Sequence, residues 1–256
     1  WEIFNIKSSN YLYAHRFLTN NKNQPAFGKK IKIKSIASYE KTLNDNFVLV
    51  NQAKRKDLIK KELDKHIKNI DSNLLDEVIW LTECPTVLTI EFSKEFLTLP
   101  EEVLTQALKK HQKAFTVLNS NNQITNTALI ITDSVTSKNK SSIINGNKKV
   151  LLARLNDMKY FWESDLKNGS FQKWNNQLSS IIFQENLGSI ENKVERITHI
   201  CHTISDQLNI TKEDIQIIDR AVNRCKSDLV SQMVKELPSL QGIMGAYYAI
   251  QFKESP

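Results

Sequence analysis

Apolar and polar positions follow two different periods along the 256 residues, and the change between them divides the chain. Residues 1–6, 11–17, 30–34, 87–92, 114–118 and 128–132 either alternate large apolar with polar side chains or form short apolar runs, as strands do. Residues 47–50 read as one more strand, a buried one. Between these, 38–44 and 74–81 predict short helices and 93–99 a helical turn. A longer helix is expected over 53–70, where Ile59, Leu63, Ile67 and Ile70 recur at helical spacing opposite a lysine-rich face. Pro100 sits where a helix begins without losing a needed donor. Glu101 and Glu102 follow in the positive first turn, and Val103, Leu104, Ala107 and Leu108 supply a buried stripe. Polar runs at 20–24 and 119–122 predict turns.

From Ser137 onward the period moves from two towards 3.6. Ile144, Leu151, Leu155, Met158, Trp162 and Leu166 mark one long helix, with Asn168-Gly169 as its stop. Further helices are expected at 175–182, 189–208, 212–233 and 239–252, the third of these opened by Thr211 and Asp214 as a capping-box variant. No strand signal remains there. The predicted class is α+β, a mixed α/β domain over 1–136 followed by an all-α domain over 137–256.

A net charge of +7 and a pI near 9.1 fit a polyanionic partner, since lysines and arginines near phosphates release counterions; a solvated lysine-rich surface accounts for the same charge. Cys84, Cys201 and Cys225 are too few and too scattered for a disulfide framework or a paired-cysteine zinc site, which fits a reducing cytoplasm. No apolar run approaches the roughly 20 residues of a membrane span. A glycine-rich phosphate loop, His-Glu-x-x-His and Gly-x-Ser-x-Gly are all missing from the sequence.

Two dense blocks lie within 183–249. One runs Phe183-Gln184-Glu185-Asn186-Leu187-Gly188-Ser189 and on to Lys193-Val194-Glu195-Arg196. The other runs from Cys225-Lys226-Ser227-Asp228 to Leu240-Gln241-Gly242-Ile243-Met244-Gly245-Ala246-Tyr247-Tyr248-Ala249. With Ala153-Arg154-Leu155-Asn156-Asp157, Phe161-Trp162 and Lys110-His111-Gln112-Lys113, these resemble, in order, the beta subunit of the bacterial tetrameric glycyl-tRNA synthetase. The match is to part of that subunit, and Trp1 opening straight into strand-like sequence implies an upstream segment.

The resemblance implies two fold relatives: the editing domain of phenylalanyl-tRNA synthetase for 1–136, and a degenerate HD-type helical domain for 137–256, each truncated at its outer end. It assigns aminoacyl adenylate formation, with ATP and Mg, to a separate alpha subunit of a two-alpha, two-beta assembly. This chain is then expected to carry no catalytic residue, cofactor or metal of its own and to hold tRNA(Gly). Editing is less needed for the smallest amino acid, because steric exclusion rejects larger ones.

The candidate tRNA contacts are His15, Arg16, Lys110, His111, Lys113, Lys149, Arg154 and Lys226, with Lys148, Lys159 and Arg196 nearby. Each has a structural alternative. His15 and Arg16 lie in Ala14-His15-Arg16-Phe17, which resembles a Gly-His-Arg-Phe element of the family, and can close a strand end. Lys110, His111 and Lys113 complement a helix dipole. Arg154 and Lys226 can pair with Asp157, Glu195 or Asp228. Ala246 stands where the family usually has arginine, which removes one RNA contact.

Gly242 and Gly245 would let another helix approach, with Tyr247 and Tyr248 packing there. Cys225 beside Lys226 has either a depressed thiol pKa or a packing role. Two alternatives to tRNA binding are a metal-dependent HD-type phosphohydrolase or deacylase using His199, His202 and Asp228, and a purely structural assembly module.

Overall fold

The computed structural model describes residues 2–19 and 27–254, which divide into two compact units, Trp1–Leu97 with Leu108–Ala153 and Thr98–Ala107 with Arg154–Pro256. Trp1 and the polar run at 20–24 lie outside the described residues. The class is α+β: helices dominate, and the sheets are small and antiparallel.

In the first unit, β1 (Glu2–Ile3) and β2 (Ile6–Lys7) pair as a hairpin, with Phe4 and Asn5 at φ 49° and 65°. Two central residues with positive φ suit a tight primed turn. Residues 2–7 therefore fold back on themselves instead of continuing as one strand. β3 (Tyr11–Tyr13) pairs with β4 (Lys30–Lys32), and their inner positions join a small core of Ala14, Ile31 and Leu43. Gly28 is required at this ribbon, since a Cβ there would stand 1.9 Å from the Ala14 carbonyl oxygen. α1 (Tyr39–Asn44) and α2 (Gln52–Leu63) follow.

The expected strand at 47–50 is absent. Phe47 takes φ 64° just after α1, and the Leu49 and Val50 carbonyls accept hydrogen bonds from the Arg55 guanidinium in place of a neighbouring strand. α2 also stops short of residue 70. The His66 and Ile67 amides both bond to the Leu63 carbonyl in a turn, yet Ile67 still reaches the core. That core packs α2 and α3 (Ser72–Val78) against a three-stranded sheet.

The sheet strands are β5 (Thr86–Glu91), then β6 (Phe115–Leu118) and β7 (Ile124–Thr132) after α4 (Glu101–Gln112). Their spatial order is β5-β7-β6, with Leu88 opposite Ile130 and Phe115 opposite Leu129. On α4, Val103, Leu104, Ala107 and Leu108 are buried as the pattern required. The turn at 119–122 is held by Asn119, whose Oδ1 accepts from the Asn121 and Gln123 amides.

α5 (Lys140–Asn168) is the long helix, with Leu151, Leu155 and Met158 buried. α6 (Phe171–Asn175) follows, and here the all-α expectation gives way. The helix expected over 175–182 is absent: α6 has already ended at Asn175, a 3-10 turn covers Leu178–Ser180, and β8 (Ile182–Gln184) pairs with β9 (Gly188–Ser189) in a hairpin that occupies the dense 183–189 block. Gly188 at φ 78° turns the corner.

Ser189 then caps α7 (Ile190–Leu208) in a capping box with Asn192. Thr211 caps α8 (Lys212–Arg224) by accepting from the Asp214 amide, while its own hydroxyl donates to the Asp214 carboxylate. The helix expected to continue to 233 breaks after Arg224. A 3-10 turn at Ser227–Val230 buries Ser227 and Asp228, and α9 (Gln232–Glu236) restarts behind Ser231, also buried. α10 (Ile243–Gln251) follows.

Candidate nucleic-acid interface

The core of the second unit combines stacked rings with two buried carboxylates. Tyr248 is fully buried, and its ring lies 5.4 Å from Trp162, 4.8 Å from Trp174 and 6.0 Å from Phe252. Its hydroxyl donates to Asp165 Oδ2 at 2.7 Å. Asp165 also accepts the first two amides of α9, Gln232 at 2.9 Å and Met233 at 3.0 Å, while Ser231 accepts the third, Val234. Burial and the Asp165 charge push the Tyr248 phenol far above its ordinary pKa.

Asp228 plays the same part for α10: its Oδ2 accepts from the Gly242 amide at 2.5 Å and from Gly245 at 3.0 Å. Its Oδ1 has no hydrogen-bond donor among the described residues. Desolvation raises the Asp228 pKa despite those two amides.

The two glycines thus serve a buried carboxylate, where the spacing had suggested a second helix. A Cβ on Gly245 would stand 3.3 Å from Asp228 Oδ2, and Gly242 holds φ 83°. Packing of the tyrosines follows the sequence expectation. Tyr247 lies edge-on to Trp162 and donates to Glu102 Oε2 at 2.8 Å.

His199, His202 and Asp228 do not come together. His202 Nε2 stands 2.5 Å from Asp219 Oδ1, Asp228 faces the start of α10, and no group of three metal-ligating side chains occurs among the described residues. For Cys225 the expectation of a depressed pKa is corrected. Partial desolvation of this exposed residue, with the Asp228 charge and Cys201, raises the thiol pKa more than Lys226 lowers it.

Of the proposed tRNA contacts, His15 is buried. Its Nδ1 accepts the Phe17 and Leu18 amides, and Nε2 lies 3.0 Å from Asp133 Oδ2. Asp133 also accepts the Glu83 and Cys84 amides, so this pair ties the end of β3 to the segment before β5. Arg16 beside it is exposed, its guanidinium 5.1 Å from the Phe17 ring centre.

Lys110 is exposed and His111 half-buried. Lys113, at φ 49°, pairs with Glu77 at 2.7 Å. Lys149 is exposed and Lys148 half-buried on α5. Arg154 reaches Asp157 at 3.5 Å with both side chains half exposed, the ion-pair alternative in its weakest form. Arg196 donates to the Leu187 carbonyl. Lys226 is half-buried, close enough to Asp228 and Cys225 to lower the pKa of both.

Arg55 was not singled out by the sequence reading. It is buried, donating to the Leu49, Val50 and Ile79 carbonyls beneath the Trp80 ring. Its place four residues before Ile59, on the buried face of the helix, was the available signal. It forms one wall of an open cleft of about 660 Å³ in the first unit, lined also by Tyr13, Arg16, Phe17, Trp80 and Asp133.

Sequence comparison matches the whole chain, residues 1–256, to a family described as glycyl-tRNA synthetase beta subunit. A glycine–tRNA ligase beta subunit from Dictyoglomus thermophilum is 38% identical over 254 residues, covering 97% of this chain and 35% of the relative. The protein of the same name from Oceanobacillus iheyensis is 35% identical over 261 residues, covering 100% of this chain and 36% of the relative. The chain therefore spans about a third of the length of these relatives. No helix among the described residues is long and apolar enough to cross a membrane.

Proposed function

The chain belongs to the glycyl-tRNA synthetase beta-subunit family, and from that premise we propose that it helps hold tRNA(Gly) while a partner alpha subunit attaches glycine to the tRNA 3′ end. One structural observation supports this most. Arg16 and Lys149 present exposed cations with no acidic partner among the described residues, in a chain of net charge +7, so their charge is left for phosphates. RNA helices are read mainly by backbone and shape, which suits cations placed to meet phosphates.

Within this proposal, residues 1–136 form a domain like the editing domain of phenylalanyl-tRNA synthetase that serves as scaffold and RNA surface. Residues 137–256 form a helical domain of degenerate HD type. ATP and Mg act through the alpha subunit in a two-alpha, two-beta assembly in the cytoplasm.

The test is steady-state charging by the reconstituted holoenzyme, with Arg16→Ala and Lys149→Ala combined in the beta subunit. A raised KM for tRNA with unchanged KM for glycine and ATP is expected. A fall in kcat with the tRNA KM unmoved would contradict a holding role.

A further inference from the structure

The β3–β4 ribbon carries chemistry that the cations discussed above do not account for. Its register sets Tyr11 opposite Lys32, Leu12 opposite Ile31 and Tyr13 opposite Lys30. Because side chains alternate across a strand, Leu12 and Ile31 turn to the small core, and the two tyrosines and two lysines share the outer face. Tyr11 and Tyr13 are 44% and 42% exposed, and Phe27, at 49%, stacks on Tyr13 with centres 4.8 Å apart. Lys30 Nζ and Lys32 Nζ lie 4.7 and 5.8 Å from the Tyr11 ring centre, and neither lysine has an acidic partner among the described residues.

Lysines alone would serve any polyanion. Three half-exposed rings between them add flat apolar surface with a π-face, which matches a nucleobase and not a phosphate. A paired duplex hides its base faces, whereas an unpaired strand offers them. Spacing points the same way. Tyr11 and Tyr13 are two residues apart, about 6.6 Å along the strand, roughly twice the 3.4 Å rise of stacked bases, so the bases they meet must be splayed.

We propose that this ribbon docks an unpaired segment of RNA, with Tyr11 and the Tyr13–Phe27 stack taking base faces and Lys30 and Lys32 the flanking phosphates. The proposal rests on the tRNA-holding role and specifies which kind of tRNA segment this face takes.

The test titrates the full chain with labelled oligouridylate, with a blunt RNA duplex of equal phosphate number, and with tRNA(Gly). The proteins are wild type, Tyr11→Leu/Tyr13→Leu, Tyr11→Phe/Tyr13→Phe and Lys30→Gln/Lys32→Gln. The expected result is preference for oligouridylate over duplex and at least about a tenfold loss in the leucine pair, since each base stack contributes strongly to binding. The phenylalanine pair retains binding. The glutamine pair weakens both ligands and lowers the salt slope by about two.

Equal binding of duplex and single strand, with the leucine pair neutral, would overturn the proposal. So would tRNA binding without oligouridylate binding, a result that leaves the tRNA-holding role intact. If neither tRNA nor oligouridylate binds, both fail together.

Discussion

Asp165→Ala is the perturbation whose size the structure fixes best. The carboxylate is buried and accepts three hydrogen bonds, from the Gln232 and Met233 amides that open α9 and from the Tyr248 hydroxyl. Truncation leaves those donors in a packed, ring-lined core. A buried donor without a partner costs about 1–3 kcal/mol. Removing the carboxylate also relieves its desolvation, so the net loss expected is about 3–5 kcal/mol, a large share of the roughly 5–15 kcal/mol that keeps a domain folded.

Asp165→Asn keeps one acceptor oxygen and should lose about half as much. Tyr248→Phe removes a single donor and should cost about 1 kcal/mol. Urea unfolding followed by tryptophan fluorescence measures all three, because Trp162 and Trp174 flank Tyr248. In the double variant the two losses should fall short of additivity by about 1 kcal/mol. A loss below about 1 kcal/mol for Asp165→Ala, or strict additivity with Tyr248→Phe, would refute the role given to this buried cap.

The two glycines of the 242–245 block should behave differently. Gly242→Ala forces φ 83° on a residue with a Cβ and should cost about 1–3 kcal/mol in thermal unfolding, though nothing lies within 4 Å of the added carbon. Gly245→Ala gains helix propensity of about 0.5–1 kcal/mol but presses on Asp228 Oδ2 at 3.3 Å, so its net effect should be smaller. Asp228 itself should give stability a pH slope. Its native pKa is raised, so its stabilising contribution is full below the unfolded carboxylate value of about 3.9 and is lost as pH rises through the native value. Asp228→Asn should remove that slope, leaving a stability gap to wild type that varies with pH, as paired urea titrations from about pH 4 to pH 7 would measure. A gap constant across that range would contradict it.

Much of this fold was legible because strong periods coincide with strong end signals. α4 has an acidic first turn and a clean apolar stripe, and α7 has Ser189 with Asn192. Several misreadings come from backbone groups satisfied by side chains in place of a strand partner or a continuing helix. The apolar run made 47–50 look like a strand, but Arg55 supplies the donors a strand partner would have given, and Asp165 and Asp228 supply the caps that let 225–243 break into short pieces. A sequence window cannot register a partner 14 to 68 positions away. For the candidate site, the exposed cations could be named from composition and resemblance. The burial of His15 could not, because it depends on Asp133, more than a hundred residues later in the chain.

The central claim is that this chain holds tRNA through phosphate contacts. Its most direct test is equilibrium binding of tRNA(Gly) to the chain across a salt series, beside Lys149→Ala and Arg16→Ala variants shown to be folded by circular dichroism. The account predicts saturable binding whose logarithm falls linearly with the logarithm of salt, with a slope that shrinks by about one for each cation removed. Salt-independent binding, or none at low salt, would contradict it.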